Sequence, residues 1–314
     1  RDYLIIDWYF PPDSDDFGQP NLYIRTRGKD GVLHEEHIEP HDDKYIKPHC
    51  WIPTDTDNWK LTRMLNRHPS VVLHQDVRAT GIDGKQLMKV EVDRPTDLWD
   101  IKDEMVTYEA DLNYLDQVLL QLYPDKLPEF KPRVWYFDLE WDTKDDFTTV
   151  MAVVDSDLET PVVFAWTDDR TNCPYPETGR HCETHERKVR DEEYELHLSF
   201  SEASMHRNFI DFLHERDPDI LVAHAIMWAD LPHLMRRLKD PDQLSPLDQV
   251  IRPFKADHYK DTQQPIKGRL CWDSAAQWKS GSGFETIWQK SGRGQLPNRR
   301  LNTIAESLDL GSKL

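Results

Sequence analysis

No stretch of about twenty apolar residues occurs in this sequence, although 38% of its 314 residues are hydrophobic, so neither a membrane-spanning helix nor a membrane partner is expected. Cysteines are few and scattered: Cys50, Cys173, Cys182 and Cys271. That count argues against a disulfide scaffold and fits a reducing cytoplasm. There is no initiating Met and no charged-then-apolar leader before the first apolar run, so no secretory signal is expected. A start at Arg1 and an end at Leu314 read as a fragment or a processed piece. Internal repeats and long low-complexity tracts are absent. Positive charge is also scarce, with 39 basic against 58 acidic residues and a formal net charge of −19. Taken at face value, this opposes nucleic-acid binding, which needs a basic footprint. Two readings reconcile the two. One is a local basic groove within a negative total. The other is a halophilic protein, because at 1 M salt the Debye length falls to ~3 Å and excess acid is tolerated. The acid is spread along the whole chain, which fits the second.

The length suits two domains of ordinary size. Residues 1 to about 130 carry short β-type runs broken by Pro, Asp and Gly: Leu4–Tyr9, Leu22–Arg25, Val71–Leu73 and Leu87–Val92. The turn Thr80-Gly81-Ile82-Asp83-Gly84 predicts a hairpin, and a polar helix is expected over Leu98–Met105. Pro124 and Pro128 interrupt regular structure, which sets a boundary near Phe130 between a β-rich domain, 1–130, and a second domain, 131–314. The second begins with a β-branched and aromatic strand, Val134–Trp141, followed by strands at Thr149–Val154 and Pro161–Trp166. Residues 168–198 read as an irregular polar insertion. Ser201 predicts the N-cap of a helix running to about Glu215 and ended by Pro218. A short buried strand, Ile220–Ala223, and a helix with Leu231, Leu234, Met235 and Leu238 on one face follow. Strands alternating with helices predict an α/β layer architecture, α+β over the whole chain.

Side chains alternate across a strand. Asp138 and Glu140 therefore share a face of the Val134–Trp141 strand with Val134 and Tyr136, while Trp135, Phe137, Leu139 and Trp141 form the other. Two carboxylates side by side are costly to bury, and a divalent cation removes the cost; oxygen ligands select Mg²⁺ or Mn²⁺. Two solvated acids on a half-exposed strand would give the same pattern. Asp230 opens the helix after the Ile220–Ala223 strand, as a third ligand or as an acid stabilised by the helix dipole.

Together these segments resemble the 3′→5′ exonuclease region of family B DNA polymerases, especially archaeal ones. Phe137-Asp138-Leu139-Glu140 matches that family's first exonuclease motif, and Asp217-Pro218-Asp219-Ile220-Leu221-Val222 leads to Asp230 as its second motif does. Arg94-Pro95-Thr96-Asp97, Tyr108–Leu112, Lys267–Asp273 and Leu301–Ala305 follow the family's order, over roughly residues 35–310. Three departures stand out. Ala225 and Ala229 occupy positions where the family usually has Asn and Phe, and the third motif, with its Tyr and catalytic Asp, is not found before Leu314. Trp228 offers a substitute stacking surface.

The resemblance implies a ribonuclease-H-like exonuclease domain with a mixed sheet, preceded by the β-rich N-terminal domain. It implies two Mg²⁺ ions, Mn²⁺ in their place at need, on Asp138, Glu140 and Asp230. Its substrate would be the single-stranded 3′ end of DNA or a primer-template. Its partners would be the remaining polymerase domains or a second polymerase subunit. Lys267 and Arg269, with Arg293, Arg299 and Arg300, form a local basic excess that would contact DNA. The alternatives are a non-catalytic nucleic-acid-binding scaffold with a degenerate exonuclease fold and an unrelated ribonuclease-H-like nuclease taking Asp273 as its further acid. Cys173, His181, Cys182 and His185 are close enough in sequence to suggest Zn²⁺, but their spacing fits no compact zinc module. The glycines at 281, 283, 292 and 294 are too loosely placed to cradle phosphate.

Overall fold

The computed structural model describes residues 5–9, 21–38, 46–93, 97–112, 114–125, 131–168, 183–189, 192–251, 264–278, 283–293, 296–298, 300–308 and 310. The chain divides into two compact units, Arg1–Lys131 and Pro132–Leu314. In the first unit, β1 (Ile5–Tyr9), β2 (Asn21–Arg27) and β3 (Leu33–Ile38) form one antiparallel sheet. Strand β4 (His49–Pro53) precedes helix α1 (Asn58–Arg67), followed by β5 (Val72–Thr80) and β6 (Gln86–Glu91). These strands form a second antiparallel sheet in the order β4-β6-β5. The β5–β6 hairpin turns where the glycines predict it: Gly81 donates to Lys85, and Gly84 adopts a left-handed φ of 82° that suits a residue without a Cβ. Helices α2 (Asp97–Glu104) and α3 (Tyr114–Leu122) complete the unit. Cys50, Ile52, Met64, Val90 and Ile101 form one core, and Leu22, Ile24, Ile38, Tyr114 and Val118 form another.

The second unit runs β7 (Val134–Trp141), β8 (Thr148–Asp155), β9 (Val162–Trp166), β10 (Glu183–Val189), β11 (Glu192–Ser199), α4 (Glu202–Arg216), β12 (Ile220–Ala223), α5 (Asp230–Arg237), β13 (Leu270–Asp273), α6 (Gly283–Trp288) and α7 (Leu301–Ser307). Its seven strands lie in the order β10-β11-β9-β8-β7-β12-β13. β9, β8 and β7 are antiparallel, whereas β7, β12 and β13 are parallel. That order and sense make a mixed α/β sheet of the ribonuclease-H-like kind. Ser201 caps α4 by accepting the Ser204 N–H, and Asp217 ends it with a left-handed φ of 46°. Met205, Phe209 and Leu213 of α4 and Leu231 and Leu234 of α5 share one core with Trp135, Phe137 and Leu139 of β7.

One expectation is overturned. Within the stretch read as irregular, β10 pairs along its length with β11, and β11 pairs in parallel with β9. β10 lies at the end of the sheet, where main-chain bonds on one side hold a strand and charged side chains are tolerated. Residues 169–182 lie outside the described residues, and so do Cys173, His181 and Cys182 of the suggested zinc group.

A polar cluster ties β8 to both helices behind the sheet. Buried Thr148 donates its N–H to Glu202 at 2.8 Å, and its carbonyl accepts the Trp166 indole N–H at 2.6 Å. Its hydroxyl lies 3.1 Å from Nε2 of both His206 and His233. A hydroxyl has one proton, so it donates to one ring, which must have a bare Nε2, and accepts from the other. Trp141 stacks on His233 with 4.6 Å between centroids. Arg237 grips Glu202 through Nε and Nη2. Burial acts to raise the Glu202 carboxyl, but Arg237 and the Thr148 N–H outweigh it and hold the group below the ordinary carboxylate range. Burial pushes His206 down to about 4 and lowers His233 as well.

Both imidazoles are therefore neutral in the folded chain at pH values where the unfolded chain binds protons. The stability they contribute is fully present above about pH 6.5 and is lost as the pH falls towards 4. Urea unfolding at pH 7 and pH 4.5 should differ by about 2 kcal/mol through His206, in the direction of lower stability at pH 4.5, and His206→Gln should flatten much of that difference. A pH-independent midpoint over this range would contradict the arrangement.

Candidate functional site

The alternation along β7 is realised. Trp135, Phe137 and Leu139 are buried against the helices, while Tyr136, half-buried Asp138 and exposed Glu140 occupy the opposite face. That face is open among the described residues: Tyr136 is 54%, Val154 47% and Trp272 39% exposed. The third carboxylate is brought towards the same end by the parallel pairing of β12. Val222 is registered against Tyr136, so β12 leaves the sheet near Asp138, and a six-residue turn leads to Asp230 at the first position of α5. Ala229 supplies no side-chain cap there, and Asp230 is the acid of the first turn, the place the helix dipole favours. Asp230 is 4% exposed.

Oxygen donors on one open face suit Mg²⁺ or Mn²⁺, but convergence is incomplete. Asp138, Glu140 and Asp230 do not all come within 4.8 Å of one another. Among the described residues the group that does is His68, Asp97 and Asp100, in the first unit.

Two assignments made from sequence change, those of Arg269 and Asp273. Arg269 is buried: its guanidinium pairs with Asp217 at 3.0 Å and donates to the carbonyls of Leu244, at 3.0 Å, and Pro218. It fastens the Asp217-Pro218-Asp219 turn and has no surface with which to meet DNA. Lys267 is half-buried beside it, and its carbonyl accepts the Ser245 hydroxyl at 2.7 Å. Asp273 cannot serve as a fourth metal acid. It is paired in register with Ala223 on the helix side of the sheet. Its carboxylate already accepts the backbone N–H groups of Ala225, Met227, Ala275 and Ala276 at 2.9–3.3 Å.

Asp273 explains the turn before Asp230. Ala225 sits at a left-handed φ of 69°, which costs a residue with a Cβ roughly 1–2 kcal/mol. Asn tolerates that region better, and Asn is the residue the resembled motif has here. In this chain the Asp273 carboxylate holds the Ala225 and Met227 amides and so offsets the strain. Trp228, 40% exposed, projects from the same turn. The sequence reading passed over Tyr136 and Trp272. The signal was present as alternation: Trp272 is registered against Val222, as Tyr136 is, so all three share the face of Asp138 and Glu140. The glycines contribute no phosphate cradle among the described residues: Gly292 has a φ of 80° and kinks the helical segment after α6.

The fold is shared with a DNA polymerase. The family B DNA polymerase from the hyperthermophilic archaeon Pyrobaculum calidifontis is similar in structure, with a TM-score of 0.52 at 16% sequence identity over 95% of this chain. The similarity covers 41% of the polymerase, so this chain spans about two fifths of its length. At that identity the likeness is one of fold. No protein-family model matches the sequence, and no curated protein matches it.

Asp273→Ala should cost about 2–4 kcal/mol in chemical denaturation, because it strips the turn amides of their acceptor. Asp273→Asn, which keeps one carbonyl oxygen, should cost less. Equal stability of Asp273→Ala and the parent chain would remove this role for Asp273.

Proposed function

We propose that this chain is part of a polymerase-related protein, and that its second unit is a 3′→5′ exonuclease acting on the single-stranded 3′ end of DNA. The observation that carries the reading is the β7 pair: two carboxylates on one open face, on the strand to which β12 adds in parallel before delivering Asp230. Asp138 and Glu140 would hold Mg²⁺ or Mn²⁺ through their oxygens, with Asp230 as the third donor. Ions held there would supply a bound water of lowered pKa and would neutralise charge on the departing oxygen, the chemistry that hydrolysis of the terminal phosphodiester to a nucleoside monophosphate needs. The chain's own residues would position the strand: the β12–α5 turn, held by Asp273, carries the exposed Trp228, on which a base would stack. The remaining polymerase domains, or a second polymerase subunit, would be its partners.

A second reading has its own support. Ala225 and Ala229 stand where the motif has Asn and Phe, and the three carboxylates do not all lie within 4.8 Å of one another. Both features favour a non-catalytic scaffold that binds single-stranded DNA.

One assay separates the two. The 314-residue chain is incubated with 5′-labelled single-stranded DNA in Mg²⁺, in Mn²⁺ and in EDTA. The nuclease reading expects metal-dependent shortening from the 3′ end, reduced at least ~100-fold by Asp138→Ala. Binding without shortening supports the scaffold. Shortening that survives Asp138→Ala unchanged refutes the assignment of these acids.

A further inference from the structure

Beside β13 lies a cavity of about 270 Å³ whose walls include Trp228, Trp272, Met227, Gln264 and Gln277. Both indoles are about two fifths exposed. Large aromatic surface left open to water is costly unless something covers it, and two such rings on one small cavity offer stacking faces for a flat ligand. Met227 adds a polarisable thioether, which packs favourably at aromatic edges. Polar recognition comes from amides: Gln264 is held in place by the Cys271 N–H at 2.7 Å, and Gln277 also lines the cavity.

The charge pattern limits the ligand. Among the described residues Asp273 is the one carboxylate in the lining, and its oxygens accept the four backbone amides of the turns. Among the described residues no lysine or arginine lines the cavity, and the nearby Arg269 is buried in its own bonds. The stacking faces and amides of the described lining fit an uncharged heterocycle with hydrogen-bonding edges. Its place in the sheet says where the attached phosphates run. Tyr136, Val222 and Trp272 form one row across β7, β12 and β13, on the face that carries Asp138 and Glu140. Two strand spacings, ~10 Å, separate Trp272 from the acid strand.

We propose that this cavity is a nucleobase pocket, in which Trp228 and Trp272 stack a base of single-stranded DNA whose backbone passes over Asp138 and Glu140. The proposal rests on the nuclease reading for the identity of the strand. It concerns a contact made without metal, so the two fail separately. The base is held by stacking, and the amides of Gln264 and Gln277 meet its edge. Grip on the substrate comes from the base and not from the phosphates, which this acidic chain repels.

The test is binding of a fluorescent oligo-dT to the 314-residue chain in EDTA, where no hydrolysis occurs, read by anisotropy. A matched oligonucleotide of the same length with abasic sites in place of bases serves as the second probe. The parent chain should bind oligo-dT at least ~10-fold more tightly than the abasic strand. Trp228→Ala should bring the two affinities together. Trp272→Ala should do the same, and Trp272→Phe, which keeps a ring at a strand position, should retain most of the preference; if Trp272→Ala fails to fold, Trp272→Phe and Trp228→Ala decide. Equal binding of the two strands by the parent chain, no binding of either, or an unchanged preference in Trp228→Ala would overturn the pocket. If the preference holds while Asp138→Ala leaves degradation unaltered in metal, the pocket stands and the nuclease assignment falls.

Discussion

Three parallel strands begin from a single carboxyl-bearing residue. The buried Asp219 carboxylate accepts the Arg133 N–H at 2.8 Å, its backbone N–H donates back to the Arg133 carbonyl, and its own carbonyl accepts the Leu270 N–H. β7, β12 and β13 therefore start level with one another, and their register is set before any side chain on the faces meets a neighbour. Side chains alternate with a period of two, so a slip of one residue would carry Asp138 and Glu140 into the helix-covered core and bring Trp135 out to solvent. Arg269 reinforces the same corner from below by pairing with Asp217 and capping the carbonyls of the Pro218 turn. Everything at the other end of the sheet depends on this anchoring: where β12 runs out, where its turn lifts off, and where Asp230 enters α5.

Elements whose cause is local could be read from the sequence. The β7 alternation, the Ser201 cap, the hairpin glycines and the apolar stripe of Leu231, Leu234, Met235 and Leu238 all rest on nearest neighbours, and all are present. What could not be read depends on partners distant in sequence. β10 and β11 are too polar to announce themselves, because their place is settled by main-chain pairing, of β11 with β9 and of β10 with β11. Arg269 looked like a DNA contact because a positive charge in a sequence does not reveal its burial. Asp273 looked like a spare catalytic acid because nothing in a linear chain shows that four amides from two turns point at it. The acid pair itself was legible. The distance from that pair to Asp230 was not, since it depends on the path of the turn.

The net charge of −19 sets a physical condition on any dealings with DNA. Protein–DNA affinity usually grows with the number of phosphates neutralised and counterions released. Of the local basic group, Arg269 is consumed by the fold, whereas Arg293 stays exposed with its guanidinium 4.7 Å from the Trp288 centroid. Ring stacking does not depend on charge, and Tyr136 and Trp272 stand exposed on the β7–β13 face.

The left-handed alanine in the β12–α5 turn has a consequence for how this chain can vary. Ala225 is held in a strained conformation by an acceptor forty-eight residues away in sequence, Asp273. Exchange of Ala225 for Gly or Asn would relax its own backbone, so drift at that site meets little resistance. Exchange of Asp273 would free four amides at once and let the turn carrying Trp228 and Asp230 wander. Of the two residues, the distant acid is the one whose loss the turn cannot absorb.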